Sequence, residues 1–273
     1  MTDDDANSIP CRVCGESSAY FFSRSFPTKQ NARYFKCPAC GHVQTEEPTW
    51  LTKTYEAATF QLDVGMADRC IWTAQTMAAL ALKLGIGLEE SCLDWGGGTG
   101  LFVRLCRDYG LNFFYTDPFS RNIFASGFER EAAGFNPSWA CITAFEVAEH
   151  FPDPVKNFGE LFQLQPRYVL FTTTLYAGEG PDWWYFGEDG QHVAFYTRRS
   201  LEIVGRSHGF HLASNEDDFH LFSRELVPDR LLENCRKHRN RLAAKYRDKH
   251  GSRTNSDFDE IVRRFRLQKR GPV

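Results

Sequence analysis

No apolar run in the 273 residues approaches the roughly 18 that a membrane-crossing helix requires. Internal repeats, collagen or coiled-coil periodicity and low-complexity tracts are also missing, which excludes fibrous and array architectures. The opening Met1-Thr2-Asp3-Asp4-Asp5 lacks the basic-then-apolar pattern of a secretory signal. These absences predict a cytoplasmic protein with no membrane partner. Nine cysteines in a chain this long fall short of the dense array of a small secreted scaffold, so metal is a better first expectation than disulfide.

What is present is an ordinary globular composition, 42% hydrophobic and 25% charged, in a chain long enough for one large domain or a large one with a small companion. The net charge of -3 conceals an asymmetry. From Arg224 onward there are 15 Lys and Arg against 7 Asp and Glu, and before it 17 against 28. Any affinity for polyanions must therefore rest on the last fifty residues or so.

Composition divides the chain into four stretches: a Cys-paired segment over 1–45, a lead-in helical segment over 46–90, an α/β domain over 91–223 and a basic, helical tail over 224–273. Apolar residues recur at three- and four-residue spacing from Met66 to Leu82, which predicts an amphipathic helix ending at Gly85. Beyond Ser91, short apolar runs alternate with helical patterns: Cys92–Trp95, Leu111–Tyr115, Trp139–Phe145 and Tyr168–Thr173. That alternation predicts a doubly wound, mostly parallel sheet, with Phe210–Leu212 and Asp218–Phe222 as an antiparallel edge.

The first of these strands runs into Asp94-Trp95-Gly96-Gly97-Gly98-Thr99-Gly100 and then into the helical pattern Leu101-Phe102-Val103-Arg104-Leu105-Cys106. Glycines there let the backbone turn tightly and approach a ligand while the N–H groups of the next helix face it. The dinucleotide fingerprint does not fit, since it requires a small residue at Leu101 or Val103. Asp94 would repel a pyrophosphate and suits a ligand bearing an ammonium and a sulfonium. A second acid, Asp117, ends the next run 23 residues later, where a carboxylate can accept bonds from both ribose hydroxyls. A turn that serves only strand-to-helix geometry is the plain alternative.

The pattern Asp-x-Gly-x-Gly-x-Gly resembles motif I of the class I S-adenosylmethionine-dependent methyltransferases. The stretch from Thr143 through Phe145-Glu146-Val147-Ala148-Glu149-His150 to Pro154 resembles their segment after strand four. The resemblance implies a Rossmann-like sheet of the seven-stranded type. It also implies cofactor contacts at Asp94, Trp95, Gly96, Gly98, Gly100, Asp117, Pro118 and Phe145. The short stretch between Asp117 and Trp139 leaves little room for a regular third strand.

Cys11-Arg12-Val13-Cys14-Gly15 and Cys37-Pro38-Ala39-Cys40-Gly41 are two Cys-x-x-Cys-Gly turns. Their glycines let backbone N–H groups point at the thiolates, and two such turns complete a tetrahedral zinc site of Cys11, Cys14, Cys37 and Cys40. Zinc would stabilise a segment too small to bury much core of its own. His42 lies beside it and is a weaker ligand candidate. The other five cysteines are scattered, four of them in apolar runs where a buried core role is expected.

Methyl transfer is an in-line displacement that asks the protein to position an acceptor and, for a hydroxyl or acidic carbon, to remove its proton. Two places offer a base. Glu146-Val147-Ala148-Glu149-His150 resembles the Glu-x-x-Glu-His of ubiquinone-pathway O-methyltransferases, where the trio holds a divalent metal; this implies magnesium at Glu146, Glu149 and His150, although relatives without the metal share the letters. The aromatic, glycine-rich stretch from Gly178 to Thr197 has the place of a substrate lid, and its Trp-Trp-Tyr and Gly-Gln-His elements resemble methyltransferases of sugars and small metabolites. His192 is the expected general base, with Glu149 and His150 as the other catalytic candidates; a loop histidine that only packs or caps is the alternative.

The expected function is thus methyl transfer to a small-molecule acceptor, a sugar-like one favoured. An RNA base methyltransferase is the second expectation, with Arg236-Lys237-His238-Arg239-Asn240-Arg241 and Arg263-Arg264-Phe265-Arg266 tracking phosphates. A solvated helix or a dimer arm is the commoner reason for such a tail, so a homo-oligomer stays open. A non-catalytic cofactor-binding or zinc-interaction protein is the third.

Overall fold

The structure, a computed structural model, describes residues 7–27, 30–56, 64–187 and 189–269; the acidic opening Met1-Thr2-Asp3-Asp4-Asp5 and Glu188 of the long loop lie outside them. In chain order the strands and helices are β1 (Ser8–Pro10), β2 (Ser17–Ser25), β3 (Asn31–Lys36), β4 (Val43–Thr45), α1 (Leu51–Glu56), α2 (Met66–Leu84), β5 (Ser91–Trp95) and α3 (Leu101–Asp108). They continue with β6 (Asn112–Thr116), β7 (Trp139–Ala144), α4 (Pro154–Gln163), β8 (Tyr168–Thr172), β9 (Ala194–Phe195), α5 (Arg198–Ser207), β10 (His211–Ser214) and β11 (Phe219–Ser223). The tail is α6 (Asp229–Lys237), α7 (Arg239–His250) and α8 (Thr254–Lys269). Among the described residues no helix is long and apolar enough to cross a membrane.

The chain divides into two compact units, each built from two separate stretches: Met1–Leu62 with Ile142–Leu232, and Asp63–Cys141 with Glu233–Val273. The first holds an antiparallel sheet in the order β1-β2-β3-β4-β9. The two Cys-x-x-Cys turns join β1 to β2 and β3 to β4, and Gly15 and Gly41 close them at φ 81° and 76°, a left-handed conformation that costs glycine nothing. The core under this sheet comes from two distant stretches. Phe22, Tyr34 and Val43 pack with Tyr185, Phe186, Val193 and Phe195; Phe22 and Tyr34 stack at 4.3 Å, and the Trp50 indole N–H donates to the carbonyl of Gly190 at 2.9 Å. The segment that looked too small for a core thus acquires one from the loop after β8.

In the second unit α2 ends as expected, with Gly85 at φ 70° and its N–H bonded to the Ala81 carbonyl. Strands β5 and β6 pair in parallel, Ser91 opposite Asn112 through Trp95 opposite Thr116, with α3 as their crossover. Arg107 at the end of α3 is 3% exposed and makes a bidentate pair with Asp257 of α8 at 2.7 and 2.8 Å; it also donates to the Phe113 carbonyl and lies 3.7 Å from the centre of the Phe128 ring. The Tyr246 hydroxyl of α7 donates to the Ile86 carbonyl. Two basic residues of the tail, Arg263 and Arg264, clasp Glu260, and Arg236 lies over the ring of Trp72.

The remaining strands form one mixed sheet in the order β10-β11-β8-β7-β5-β6. The antiparallel edge is as expected: β11 pairs antiparallel with both β8 and β10. Among the described residues the sheet has six strands, one fewer than the seven-stranded type. Between Asp117 and Trp139 the further strand is reduced to a single parallel bridge of Tyr115 with Glu129. Gly127 and Gly134 at φ 92° and 93°, with Pro137 after them, break the extended backbone a longer strand needs.

Candidate functional site

In the second unit, β5 ends where the chain must reverse into α3. The Gly96 N–H bonds the Thr116 carbonyl at 2.9 Å, and Gly96, Gly98 and Gly100 take φ of 74°, 55° and 80°. Gly97 is glycine for a different reason: a Cβ there would lie 2.7 Å from the Tyr115 ring and 2.8 Å from an Asp94 oxygen. At Gly98, by contrast, a Cβ would meet nothing within 4 Å, so the loop leaves an open cradle on that side. Asp117 follows β6. One carboxylate oxygen accepts the Gly98 N–H at 2.9 Å, and the other accepts the N–H groups of Phe119 and Ser120 at 2.7 Å. The Tyr115 hydroxyl, its pKa pushed up by burial, donates to the carbonyls of Gly98 and Ser120 and braces the loop. Asp94 is buried behind it, Trp95 is half-buried and Pro118 is exposed.

The first unit carries two clusters of ligand-type side chains. In one, the sulfurs of Cys11, Cys14, Cys37 and Cys40 lie within 4.8 Å of one another, with Cys11 to Cys40 at 3.6 Å and Cys14 to Cys37 at 3.5 Å. All four are free thiols. The Val13 N–H points at the Cys11 sulfur, and the bond from Cys40 pulls the Cys11 thiol down to about 5 and pushes that of Cys40 up, so the pair favours one thiolate. Four sulfurs at this spacing could hold a tetrahedral soft ion. His42 is outside the group; its buried ring lies 5.1 Å from Tyr196, and burial lowers its pKa to about 3.

In the other cluster, a carboxylate oxygen of Glu149 and one ring nitrogen each of His150 and His192 lie within 4.8 Å of one another. Main-chain bonds bring them together: the Val193 N–H donates to the Glu149 carbonyl at 2.8 Å, and the Tyr196 hydroxyl donates to the Ala148 carbonyl at 2.8 Å. His150 Nδ1 lies 3.0 Å from the Gln191 carbonyl, and His192 Nδ1 lies 2.6 Å from the Tyr185 carbonyl. A carbonyl only accepts, so each Nδ1 carries the hydrogen and each Nε2 the lone pair. Burial lowers both pKa values, that of His150 to about 3 with the neighbouring His192 adding to the effect. Both rings are neutral near pH 7.

The sequence expectations distribute plainly over these groups. His192 neither caps α5, whose cap is Thr197, nor stands apart from the other catalytic candidates. Glu146 is outside the cluster: it sits at φ 55°, and its carboxylate accepts from the Thr172 hydroxyl at 2.8 Å while its N–H donates to that same oxygen. Phe145 stacks on Phe219 with ring centres 5.9 Å apart. Tyr115 and the carbonyls of Tyr185 and Gln191 went unnoticed in the sequence. A tyrosine two residues before Asp117 was the one visible signal; main-chain carbonyls leave none.

A family profile described as "Methyltransferase domain" matches residues 70–215, and the chain belongs to that family. Over those residues it carries a methyltransferase domain. No curated protein matches the chain. Among solved structures it is similar to TnmH, at 18% identity and a TM-score of 0.41, covering 60% of this chain and 57% of TnmH. It is also similar to the magnesium protoporphyrin IX methyltransferase of Synechocystis PCC 6803, at 10% identity and a TM-score of 0.41, over 64% of this chain and 92% of that one. A third is the 1,6-didemethyltoxoflavin-N1-methyltransferase of Burkholderia thailandensis, with bound S-adenosylhomocysteine, at 13% identity and a TM-score of 0.43, over 73% and 96%. The chain thus spans little more than half the length of TnmH. The family match, and not these likenesses, carries the assignment.

Proposed function

We propose that the protein moves the methyl group of S-adenosylmethionine to a hydroxyl or activated carbon of a small-molecule acceptor, a sugar-like metabolite being favoured. The observation that carries this reading is the open cradle at Gly98 beside the carboxylate of Asp117. Glycine without a side chain lets an adenosyl group approach the backbone, and Asp117 can exchange its main-chain partners for the two ribose hydroxyls. Asp94, Trp95, Gly96 and Gly100 would shape that cradle, and Pro118 and Phe145 stay cofactor contacts implied by the family resemblance. The buried carboxylate of Asp94 suits a cationic cofactor better than a pyrophosphate.

On the acceptor side Glu149, His150 and His192 supply the polar chemistry. The Nε2 of neutral His192 takes the acceptor proton as the new bond to carbon forms and the bond from sulfur to methyl breaks, leaving S-adenosylhomocysteine. Cys11, Cys14, Cys37 and Cys40 would hold one zinc ion in a structural role, giving the 1–45 segment a fixed frame for the loop that carries His192. In this reading the four stretches 1–45, 46–90, 91–223 and 224–273 are zinc segment, lead-in, catalytic domain and helical tail.

Calorimetric titration with S-adenosylmethionine and S-adenosylhomocysteine tests the cofactor reading. One saturable site is expected, lost in Asp117→Ala with the fold intact; undiminished affinity in that variant would falsify the assignment. His192→Ala should lower turnover by about 10²–10⁴-fold and leave cofactor affinity alone.

A further inference from the structure

We propose that Glu149, His150 and His192 form a second metal site, selective for a first-row transition ion such as zinc or iron(II) over magnesium. Three donors meet within 4.8 Å, two imidazole nitrogens and one carboxylate oxygen. That mixed set favours borderline ions; magnesium asks for oxygen throughout. The set is not the Glu146, Glu149, His150 trio of the sequence expectation, because the Glu146 carboxylate is engaged by Thr172.

A second observation is independent of the spacing. Both rings present Nδ1 to a main-chain carbonyl, Gln191 for His150 and Tyr185 for His192. This is the outer-shell arrangement that fixes the tautomer and raises the basicity of a metal-binding imidazole, with Nε2 as the ligating atom. The rings are held at a set angle, 82° between planes with centres 5.0 Å apart, and the Tyr185 ring supports His192 at 4.7 Å. Donors bound to zinc at about 2.0–2.1 Å sit closer together than this, so loading draws the three side chains inward.

Three protein ligands leave a coordination position for the acceptor's oxygen. An ion there would lower the pKa of an acceptor hydroxyl bound at that position, in place of the proton transfer assigned above to His192. Ion binding stands apart from the proposed function; only its use in methyl transfer rests on that reading.

Cobalt(II) loaded into metal-free full-length protein separates the two sites, because only the four-cysteine site gives intense thiolate-to-metal charge-transfer bands. Two ions per chain are expected, one with those bands and one showing only weak d–d absorption, and a large excess of magnesium displaces neither. In His192→Ala and in Glu149→Gln the count falls to one, with the charge-transfer bands unchanged and circular dichroism reporting an intact fold. A single ion in the unaltered protein, or a second ion that survives both substitutions, overturns the proposal. Titrating the same samples with S-adenosylmethionine keeps the questions apart: absent cofactor binding sinks the proposed function and leaves the ion count as it is.

Discussion

The two units solve the problem of holding polar chemistry in place by different means. The glycine-loop unit does it with the main chain and one buried ion pair: three glycines set the turn, Tyr115 braces it, and Arg107 and Asp257 tie the end of α3 to the tail. The cysteine unit does it with side chains that converge on one another, four thiols in one place and a carboxylate with two imidazoles in another. The difference teaches where each is vulnerable. A buried guanidinium needs its own carboxylate, whereas ligands of the kind proposed above would depend on an ion from outside the chain.

The sharpest separation comes from metal removal. A structural zinc site contributes on the order of 10–16 kcal/mol of binding energy, comparable to or above the net stability of a whole domain. Stripping metal, or Cys37→Ser, should therefore abolish hydrogen-exchange protection on β2, β3 and β9 while protection persists on α2 and β5. Equal loss in both units would break the comparison. Next in size is Asp257→Ala, which leaves the guanidinium of Arg107 buried without its bidentate partner. It should cost about 3–5 kcal/mol in urea unfolding, with the loosening centred on α3 and α8. A cost below 1 kcal/mol would show that the bonds from Tyr246 to the Ile86 carbonyl and from Arg253 to the Gly110 carbonyl, not the ion pair, hold the tail.

A smaller effect concerns pH. His220 lies between the Ser214 hydroxyl and the Thr173 carbonyl, and burial lowers its pKa from 6.5 to about 4. The unfolded chain takes up this proton near pH 6.5 while the folded one resists it. The contribution is therefore complete above pH 6.5 and falls by about 1.4 kcal/mol per pH unit between 6.5 and 4. His220→Phe, whatever it costs overall, should flatten the stability profile in that window; an unchanged slope would assign it to other groups. Smallest is Gly98→Ala in the other unit. It meets no neighbour, so thermal unfolding should register only the left-handed backbone, about 1–2 kcal/mol, while the added methyl group enters the cradle and weakens cofactor binding. A loss of stability without loss of affinity would move the ligand elsewhere.

Much of this was legible in the sequence wherever a few neighbouring residues decide the outcome. The helix running to Gly85, the turn from Asp94 to Gly100, the pairing of Cys11 with Cys14 and of Cys37 with Cys40 in their turns, and the antiparallel edge at β11 follow from spacing and turn chemistry over short stretches. The core of the N-terminal segment did not, because Phe186, Val193 and Phe195 arrive from the far side of β8. Nor did the partnership of Arg107 with Asp257, which the basic character of the tail concealed.

The candidate catalytic cluster divides the same way. Adjacent Glu149 and His150 are a local fact of the chain, marked as bases by their residue types and as ligands by the family resemblance. That His192 joins them while Glu146, only three residues from Glu149, does not was decided by tertiary structure. The Val193 N–H docks on Glu149, and Thr172 claims the carboxylate of Glu146. By itself the sequence determined which short segments turn, cap and carry reactive atoms, since those depend on backbone preferences a few residues long. Which of those atoms meet was left to the folded chain, because closing loops of forty residues and more is worthwhile only when many long-range contacts form together.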